Sequence, residues 1–361
     1  MRLQALRRFV IRSGLEGLHA GRTPALFGRW TRGCGAILMF HHVRPAADAR
    51  FRPNSHLEVT PEFLERVIHR VRDRGMDIVD LDEAAARLSD PENARRFVVL
   101  TFDDGYRNNL VHAYPVLKRT GAPFTIYVAT GFVDGTAMPW WDVASAIVAG
   151  CRSIRVAIDG KTIERRVESV ADKQRAVDAL IAALIRVPED EQRRAVVAAA
   201  VAHGVDIAAL VRDSMMSWEE IRALAADPLA TIGAHTIGHY ALSRLDGQRA
   251  RAEMAASAER IAAMGGIRPR HFAYPYGSPE TVGARDVALA RELGFATAVT
   301  TRRGVLVPAH ARHLHALPRI SVNGDYQQLR ILDLLLSGVP YAIERRINRL
   351  RGRASASASS G

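Results

Sequence analysis

Residues 97–105 read Phe97-Val98-Val99-Leu100-Thr101-Phe102-Asp103-Asp104-Gly105. A run of strand-forming, mostly apolar residues stops at two adjacent carboxylates and a glycine. A buried strand that delivers Asp103 and Asp104 at its C-terminal end is costly. Crowded carboxylates repel, and burial disfavours their charge, unless a cation or a proton sits between them. A metal ion is the simplest resolution, and the rest of the chain offers ligands for one.

On either side of this strand the sequence alternates. Residues 36–43 (AILMFHHV) read as a short buried strand ending at His41 and His42, with Pro45 beyond it. Residues 61–74 read as a helix, with Phe63, Val67, Ile68 and Val71 on one face and Pro61 near its start. Gly75 ends it. Residues 77–79 are strand-like, 81–88 helical, 97–102 a strand, about 109–119 a helix closed by Gly121, and 123–129 a strand. The pattern resumes late in the chain. Residues 217–226 form a helix with Ser217 as N-cap and Glu220 closing a capping box. Then come a strand at 230–234, a helix at 246–264, a strand at 271–275, a helix at 284–294, a strand at 295–301 and a last strand candidate at 317–322. Strands alternating with helices predict an α/β fold with a parallel sheet or barrel.

Between about 134 and 216 the alternation breaks. The stretch holds a hairpin turning at Asp159-Gly160 and two Ala-rich helices, about 172–186 and 189–203. It reads as an insertion on a barrel rim. The expected organisation is a basic segment over 1–33, a barrel over 34–345 carrying this insertion, and a basic, low-complexity tail over 346–361 whose last residues, ASASASSG (354–361), lack fixed structure.

The chain has 361 residues, 48% of them apolar, enough for a large core. Lys plus Arg number 50 against 38 Asp plus Glu, a net charge of +12. The excess sits at the ends. Arg2, Arg7, Arg8, Arg12, Arg22, Arg29 and Arg32 face the single Glu16, and residues 345–353 (RRINRLRGR) carry five more Arg. Such ends attract anionic lipid, nucleic acid or acidic glycan. No nucleic-acid recognition motif accompanies them, so no specific nucleic-acid partner is expected. Cys34 and Cys151 alone make no disulfide framework. Arg7, Arg8 and Arg12 interrupt any signal-peptide core, and no apolar run reaches ~18 residues. A cytoplasmic location is therefore the expectation. Leu3, Leu6, Phe9 and Val10 would share one side of a basic amphipathic helix suited to peripheral contact with an anionic membrane.

Three clusters carry chemistry. The first is Asp103-Asp104. The second is His235-Thr236-Ile237-Gly238-His239, two histidines four apart after a strand, which on one face of a helical turn would reach one ion. In barrels, catalytic residues sit at the C-terminal strand ends. One Asp and two His form a three-ligand set with a position left for water, the pattern of a catalytic rather than a structural metal site. The third is Phe272-Ala273-Tyr274-Pro275-Tyr276-Gly277, a turn that would expose a backbone N–H such as that of Tyr276 to an oxyanion. Trp140, Trp141 and Trp218 are possible sugar-stacking faces.

Thr-Phe-Asp-Asp-Gly, then His-Thr-x-x-His, then a Pro-Tyr-Gly turn, in this order, resembles the polysaccharide deacetylases of carbohydrate esterase family 4, the NodB-homology domain. The resemblance spans roughly residues 35–325. It implies a distorted (β/α) barrel and divalent-metal-dependent removal of N-acetyl groups from a GlcNAc-containing glycan. By motif, Asp103 is the implied catalytic base, Asp104, His235 and His239 the metal ligands, and the Tyr276 amide the oxyanion donor. Zinc is the implied ion, with cobalt or nickel as substitutes. Trp140, Trp141 and Pro275 are the candidate substrate contacts. Two positions depart from the pattern. Ala273 stands where the third motif has Arg, and Leu317-Pro318-Arg319 stands where the last motif has Leu-x-His. His313 and His315 lie near the missing acid. The segment Leu38-Met39-Phe40-His41-His42 is similar to the first strand of the permuted poly-N-acetylglucosamine deacetylases, which makes His41 the implied general acid, with His42 on the other face of the strand. The competing reading is a noncatalytic carbohydrate-binding barrel.

Overall fold

The computed structural model describes residues 17–18, 23–46, 49–90 and 95–358. A strand that is apolar along its whole length needs cover on both faces, and the chain supplies it by closing strands into a ring. Seven parallel strands among the described residues do so: β1 Gly35–Phe40, β2 Phe97–Phe102, β3 Phe124–Val128, β4 Ala230–Ala234, β5 His271–Ala273, β6 Thr297–Arg303 and β7 Leu317–Ser321. Neighbours run β1-β7-β6-β5-β4-β3-β2, and β2 returns to β1 in register from Gly35 opposite Phe97 to Phe40 opposite Phe102. The first strand thus lies between the last strand and β2. The short strand Asp77–Ile78 adds to β2 outside the ring.

Side chains alternate across the ring wall. Ile37, Val99, Tyr127, Ala273, Val299 and Leu317 pack together in one cluster. Leu38, Phe40, Leu100, Phe102 and Ile126 belong to another, beneath the helices Pro61–Asp73, Trp218–Ala225 and Gly247–Gly265. Gly233 on β4 is required by the first set: a Cβ there would stand 2.4 Å from the Tyr127 ring.

The stretch after β3 leaves the barrel order. It forms the helix Trp140–Gly150, the antiparallel hairpin Ser153–Ile158 and Lys161–Arg166, and the helices Val170–Leu184, Glu189–Ala202 and Ile207–Ser214. The hairpin turns at Asp159 (φ 49°) and Gly160 (φ 66°), the left-handed pair a type I′ turn needs. These elements share a core of their own, including Val143, Ile147, Ile154, Val177, Leu180 and Val196. Two of its helices were not expected. The helix Trp140–Gly150 begins without a capping side chain to mark it, and Ile207–Ser214 is too short to announce itself by periodicity.

Three other expectations change. The strand read over 36–43 is two pieces: β1 stops at Phe40, and His42–Val43 pairs instead with Glu58–Val59. The helix read over 109–119 opens with a π-turn at Asn109–Ala113 before Tyr114–Thr120. The helix Val339–Ala358 runs through 354–358, which were expected to lack fixed structure. Leu3, Leu6, Phe9 and Val10 lie outside the described residues. Cys34 and Cys151 are unpaired. No single helix among the described residues is long and apolar enough to cross a membrane.

Candidate metal centre and active-site cleft

The polar clusters meet at one end of the ring. His41 follows β1, Asp103 and Asp104 follow β2, His235 follows β4, and the turn at 274–277 follows β5. Among the described residues five that are not glycine have positive φ. Asp159 is the hairpin turn. The other four are Asp104 (76°), Thr236 (63°), His239 (54°) and Tyr276 (59°), all at this end. Left-handed backbone costs a non-glycine residue about 1–3 kcal/mol and persists where the surroundings hold it. The two histidines therefore do not share a helix face, as their spacing suggested. Residues 235–239 form a loop bent by two left-handed residues, and that bend turns His239 back toward His235.

The loop is held on every side. The amides of Ile237 and Gly238 both donate to Glu253 Oε2 at 2.9 Å. The carbonyls of Thr236 and Ile237 accept from the amides of Thr130 and Gly131 at 3.1 and 2.9 Å. Arg193, from the inserted helix Glu189–Ala202, donates to the carbonyls of Gly238 and His239 at 2.7 and 3.1 Å. The Glu189 carboxylate of the same helix accepts the Ala241 amide.

Asp104 Oδ1 lies 3.4 Å from His235 Nε2 and 3.3 Å from His239 Nε2. All three residues are buried, and their donor atoms fall within 4.8 Å of one another. Asp104 Oδ1 has no hydrogen-bond partner. His235 Nδ1 donates to the Ala273 carbonyl at 2.7 Å, which fixes the tautomer and leaves its Nε2 lone pair facing Asp104. Burial lowers the pKa of His239 despite the nearby Asp104, so its ring is held toward the neutral form. Burial would raise Asp104, but the two imidazoles outweigh it and hold the carboxyl well below its usual range. Two imidazole nitrogens and a carboxylate oxygen thus converge in a buried pocket, with Asp104 Oδ1 left without a hydrogen-bond partner. The donor set fits a divalent metal ion.

Asp103 has a different partner. Arg319 on β7 donates from both terminal nitrogens to its two oxygens at 2.7 Å each, and its Nε donates to the Thr300 carbonyl at 2.9 Å. Both side chains are buried. Burial would raise the pKa of Asp103, but the charge and hydrogen bonds of Arg319 outweigh it, so the net shift is downward. Sequence reasoning saw Arg319 only as the residue replacing a histidine. Its partner stands 216 positions away in the chain and is brought next to it by ring closure.

His41 sits at the break after β1, half-buried, with Nε2 4.0 Å from Asp103 Oδ2. Asn109 anchors its carbonyl at 2.9 Å. His42 points away and is buried: Arg44 and Asn108 meet its Nδ1 at 2.7 and 2.9 Å. Tyr276 has no acceptor for its amide N–H among the described residues, while its carbonyl is fixed by Thr301 Oγ1 at 2.6 Å. The turn depends on Gly277 (φ 61°), where a Cβ would meet the Thr301 amide at 2.5 Å.

Trp140 and Trp141 border the cleft, but their indole N–H groups are committed, to the hydroxyls of Tyr276 at 2.9 Å and Tyr106 at 3.0 Å. The Trp141 ring packs on His239 with centroids 5.0 Å apart. Pro275 is buried within its turn and does not line the cleft. Trp218 is elsewhere, bonded to Asp134. His315 is spent on the Phe295 carbonyl, and neither it nor His313 borders the cleft. The cleft itself encloses about 920 Å³ and is bordered by His41, Asp103, Asp104, His235, His239 and Tyr276 together with residues of the insertion.

Comparison with known proteins bears on this arrangement. The sequence profile of the family described as polysaccharide deacetylase matches residues 90–298. YxkH of Bacillus subtilis (strain 168), which carries that family's name, is 33% identical over 93 residues. That match takes in 26% of this chain and 30% of the length of YxkH. Among solved structures, the deacetylase PplD of Streptococcus pyogenes, in complex with acetate, superposes with a TM-score of 0.56 at 18% identity, over 83% of this chain and 97% of that one. IcaB of Ammonifex degensii does so with a TM-score of 0.54 at 20% identity, over 84% and 97%. At these identities the structural likeness establishes the barrel fold.

Proposed function

Because the chain belongs to the polysaccharide deacetylase family, we propose that it hydrolyses the N-acetyl group of an amino sugar in an acetylated glycan, releasing acetate and leaving a free amine. The observation that carries this reading is the convergence, in one cleft, of three unshared donor atoms, a second carboxylate, a half-buried imidazole and an unengaged backbone N–H.

Asp104, His235 and His239 would hold a divalent ion, zinc by preference for mixed imidazole and carboxylate donors, with cobalt or nickel able to take the same ligands. When bound, such an ion supplies Lewis acidity that polarises the acetyl carbonyl and acidifies water beside it. The protein does the rest. Asp103, ionised and locked in one orientation by Arg319, takes the proton of the attacking water. The Tyr276 N–H faces the acetyl oxygen as negative charge develops there; a fixed donor in a water-poor cleft stabilises that charge without reorganising. His41 gives a proton to the sugar nitrogen as the C–N bond breaks, since an amine anion is a very poor leaving group. Water contributes its oxygen and one proton to the acid and its other proton to the amine.

The test is to strip the full chain of metal with a chelator, reload it with zinc, and measure acetate released from acetylated chitooligosaccharides. Acetate release restored by zinc, and lost in Asp103→Asn while zinc content stays stoichiometric, supports the assignment. Stoichiometric zinc with no acetate from any acetylated amino sugar would favour the noncatalytic carbohydrate-binding reading.

A further inference from the structure

One wall of the cleft is unlike the rest. The inserted helix Val170–Leu184 lies along it, and the residues it and its C-cap turn to the cleft are Val170, Ala171, Val177, Ile181 and Ile185. An exposed helix in water normally buries one apolar stripe and shows a polar face opposite. This helix buries Ala176, Val177, Leu180 and Leu184 in the insertion's own core. Val177, buried in that core, and Ile181, packed against it, also border the cleft, and at the two ends of the helix Val170 and Ile185 remain 43% and 48% exposed, so the cleft-facing side is aliphatic at both ends. The two polar residues on that wall, Gln174 and Asp178, hydrogen-bond to each other at 3.0 Å. Elsewhere on the cleft lining, Asn54 is committed to Asp142 and Ser145 at 2.7 and 3.2 Å, and Arg52 to Glu58.

A sugar chain wants the reverse of such a wall. Each ring carries several hydroxyls needing partners, and its apolar faces pack best on flat aromatic rings. The stripe offers branched aliphatic carbon and few free hydrogen-bonding groups. It borders the same cleft as the candidate metal centre, a cleft of about 920 Å³, which is near the upper end of the usual range of ~300–1,000 Å³ for small-molecule sites. Resting on the deacetylase reading above, we infer that the substrate is a glycolipid: an N-acetylated amino sugar whose hydrocarbon aglycone lies along the Val170–Ile185 stripe while the acetamido group faces Asp103 and Asp104. The stripe selects for the chain, and the strand-end residues act on the sugar.

The experiment uses the zinc-loaded full chain and a series of N-acetylglucosaminides with methyl, octyl and dodecyl aglycones, plus geranyl and farnesyl members, all below their micellar concentrations. Acetate release gives kcat/KM. In parallel, the change in tryptophan fluorescence on adding each glycoside to metal-free protein gives a dissociation constant that needs no turnover. Each buried methylene is worth about fourfold in affinity, so octyl over methyl is expected to gain at least tenfold, expressed in KM rather than kcat. The straight-chain and isoprenoid arms tell an acyl-type from a prenyl-type substrate. In Ile181→Asn/Ile185→Asn the dodecyl-to-methyl ratio should fall toward one; the single change Ile185→Asn, at an exposed position, provides the same readout should the pair not fold. Equal kcat/KM across aglycones, or a larger kcat/KM on acetylated chitooligosaccharides measured alongside than on any alkyl member, overturns the glycolipid assignment while leaving deacetylation standing. If acetate appears from the chitooligosaccharides but from no member of the series, the glycolipid assignment falls alone; if it appears from neither, the function proposed above fails. Fluorescence then decides the stripe alone: chain-length-dependent binding keeps the hydrocarbon site, and uniform binding removes it.

Discussion

Removing Arg319 would leave Asp103 as a buried carboxylate without its counter-charge. Breaking one side of a buried ion pair costs about 3–5 kcal/mol, whereas removing both partners costs far less. Arg319→Met should therefore lower the unfolding free energy in urea by that amount, and Arg319→Met/Asp103→Asn should recover at least half of it. Equal losses in the two variants would mean that the pair is not coupled as its 2.7 Å contacts indicate. A second residue far from the cleft titrates in a useful range. His271, at the start of β5, is buried and bonded to Thr297 Oγ1 at 2.9 Å. Burial pushes its pKa down to about 4, with Asp82 only partly opposing. An unfolded histidine titrates near ~6.5. The folded state thus binds this proton less readily than the unfolded one. The stability linked to the neutral ring is complete above pH ~6.5 and is lost as pH falls toward 4, in all about 3 kcal/mol. Stability measured across that window should fall in the native chain and be flatter in His271→Gln; parallel curves would contradict it.

At the scale of elements, the loop 235–239 and its supports decide whether the donors stay aligned. Glu253 sits on the helix Gly247–Gly265 and takes two of the loop's amides. Glu253→Ala should weaken zinc binding by about 10–100-fold, the usual effect of losing an outer support of a metal site. Competition against a chromophoric chelator measures it, and unchanged affinity would show that Arg193 and the Thr130 and Gly131 amides suffice. The same loop shows where reading the chain succeeds and where it stops. The buried strands were legible because runs such as Phe97–Phe102 are apolar on both faces and end at polar pairs or turns. The capping box at Ser217 and Glu220 and the Asp159-Gly160 turn were legible because their chemistry is local. His235 and His239 come together through a left-handed bend and not the helical turn their spacing suggested. The break in the ladder that frees His41 depends on His42–Val43 finding Glu58–Val59, a pairing with no local signal. The clamp of Arg319 on Asp103 was invisible for the same cause.

At the scale of the whole molecule, two cores stand side by side: one inside and around the ring, the other within the insertion. The candidate metal site lies in the cleft that residues of the ring's strand ends and of the insertion both border. Because the donors are positioned by the folded chain, an ion that binds them favours the native state. Free zinc at a hundred times its dissociation constant should add about 2.7 kcal/mol to stability, seen as a higher melting temperature of the full chain, and His235→Ala should abolish the gain. A melting temperature unmoved by saturating zinc would argue against the site.

Arg193 and Glu189 belong to the insertion, yet they hold the backbone of the loop that bears His239. The chain therefore cannot be pared down to its ring by an engineer seeking a minimal catalyst. Excising 140–214 and rejoining the ends would remove no strand of the barrel and still cut the struts of the loop that bears His239. Here the appendage is scaffolding for the chemistry, and a graft of the barrel's strand-end residues onto another ring would have to carry that helix along with it.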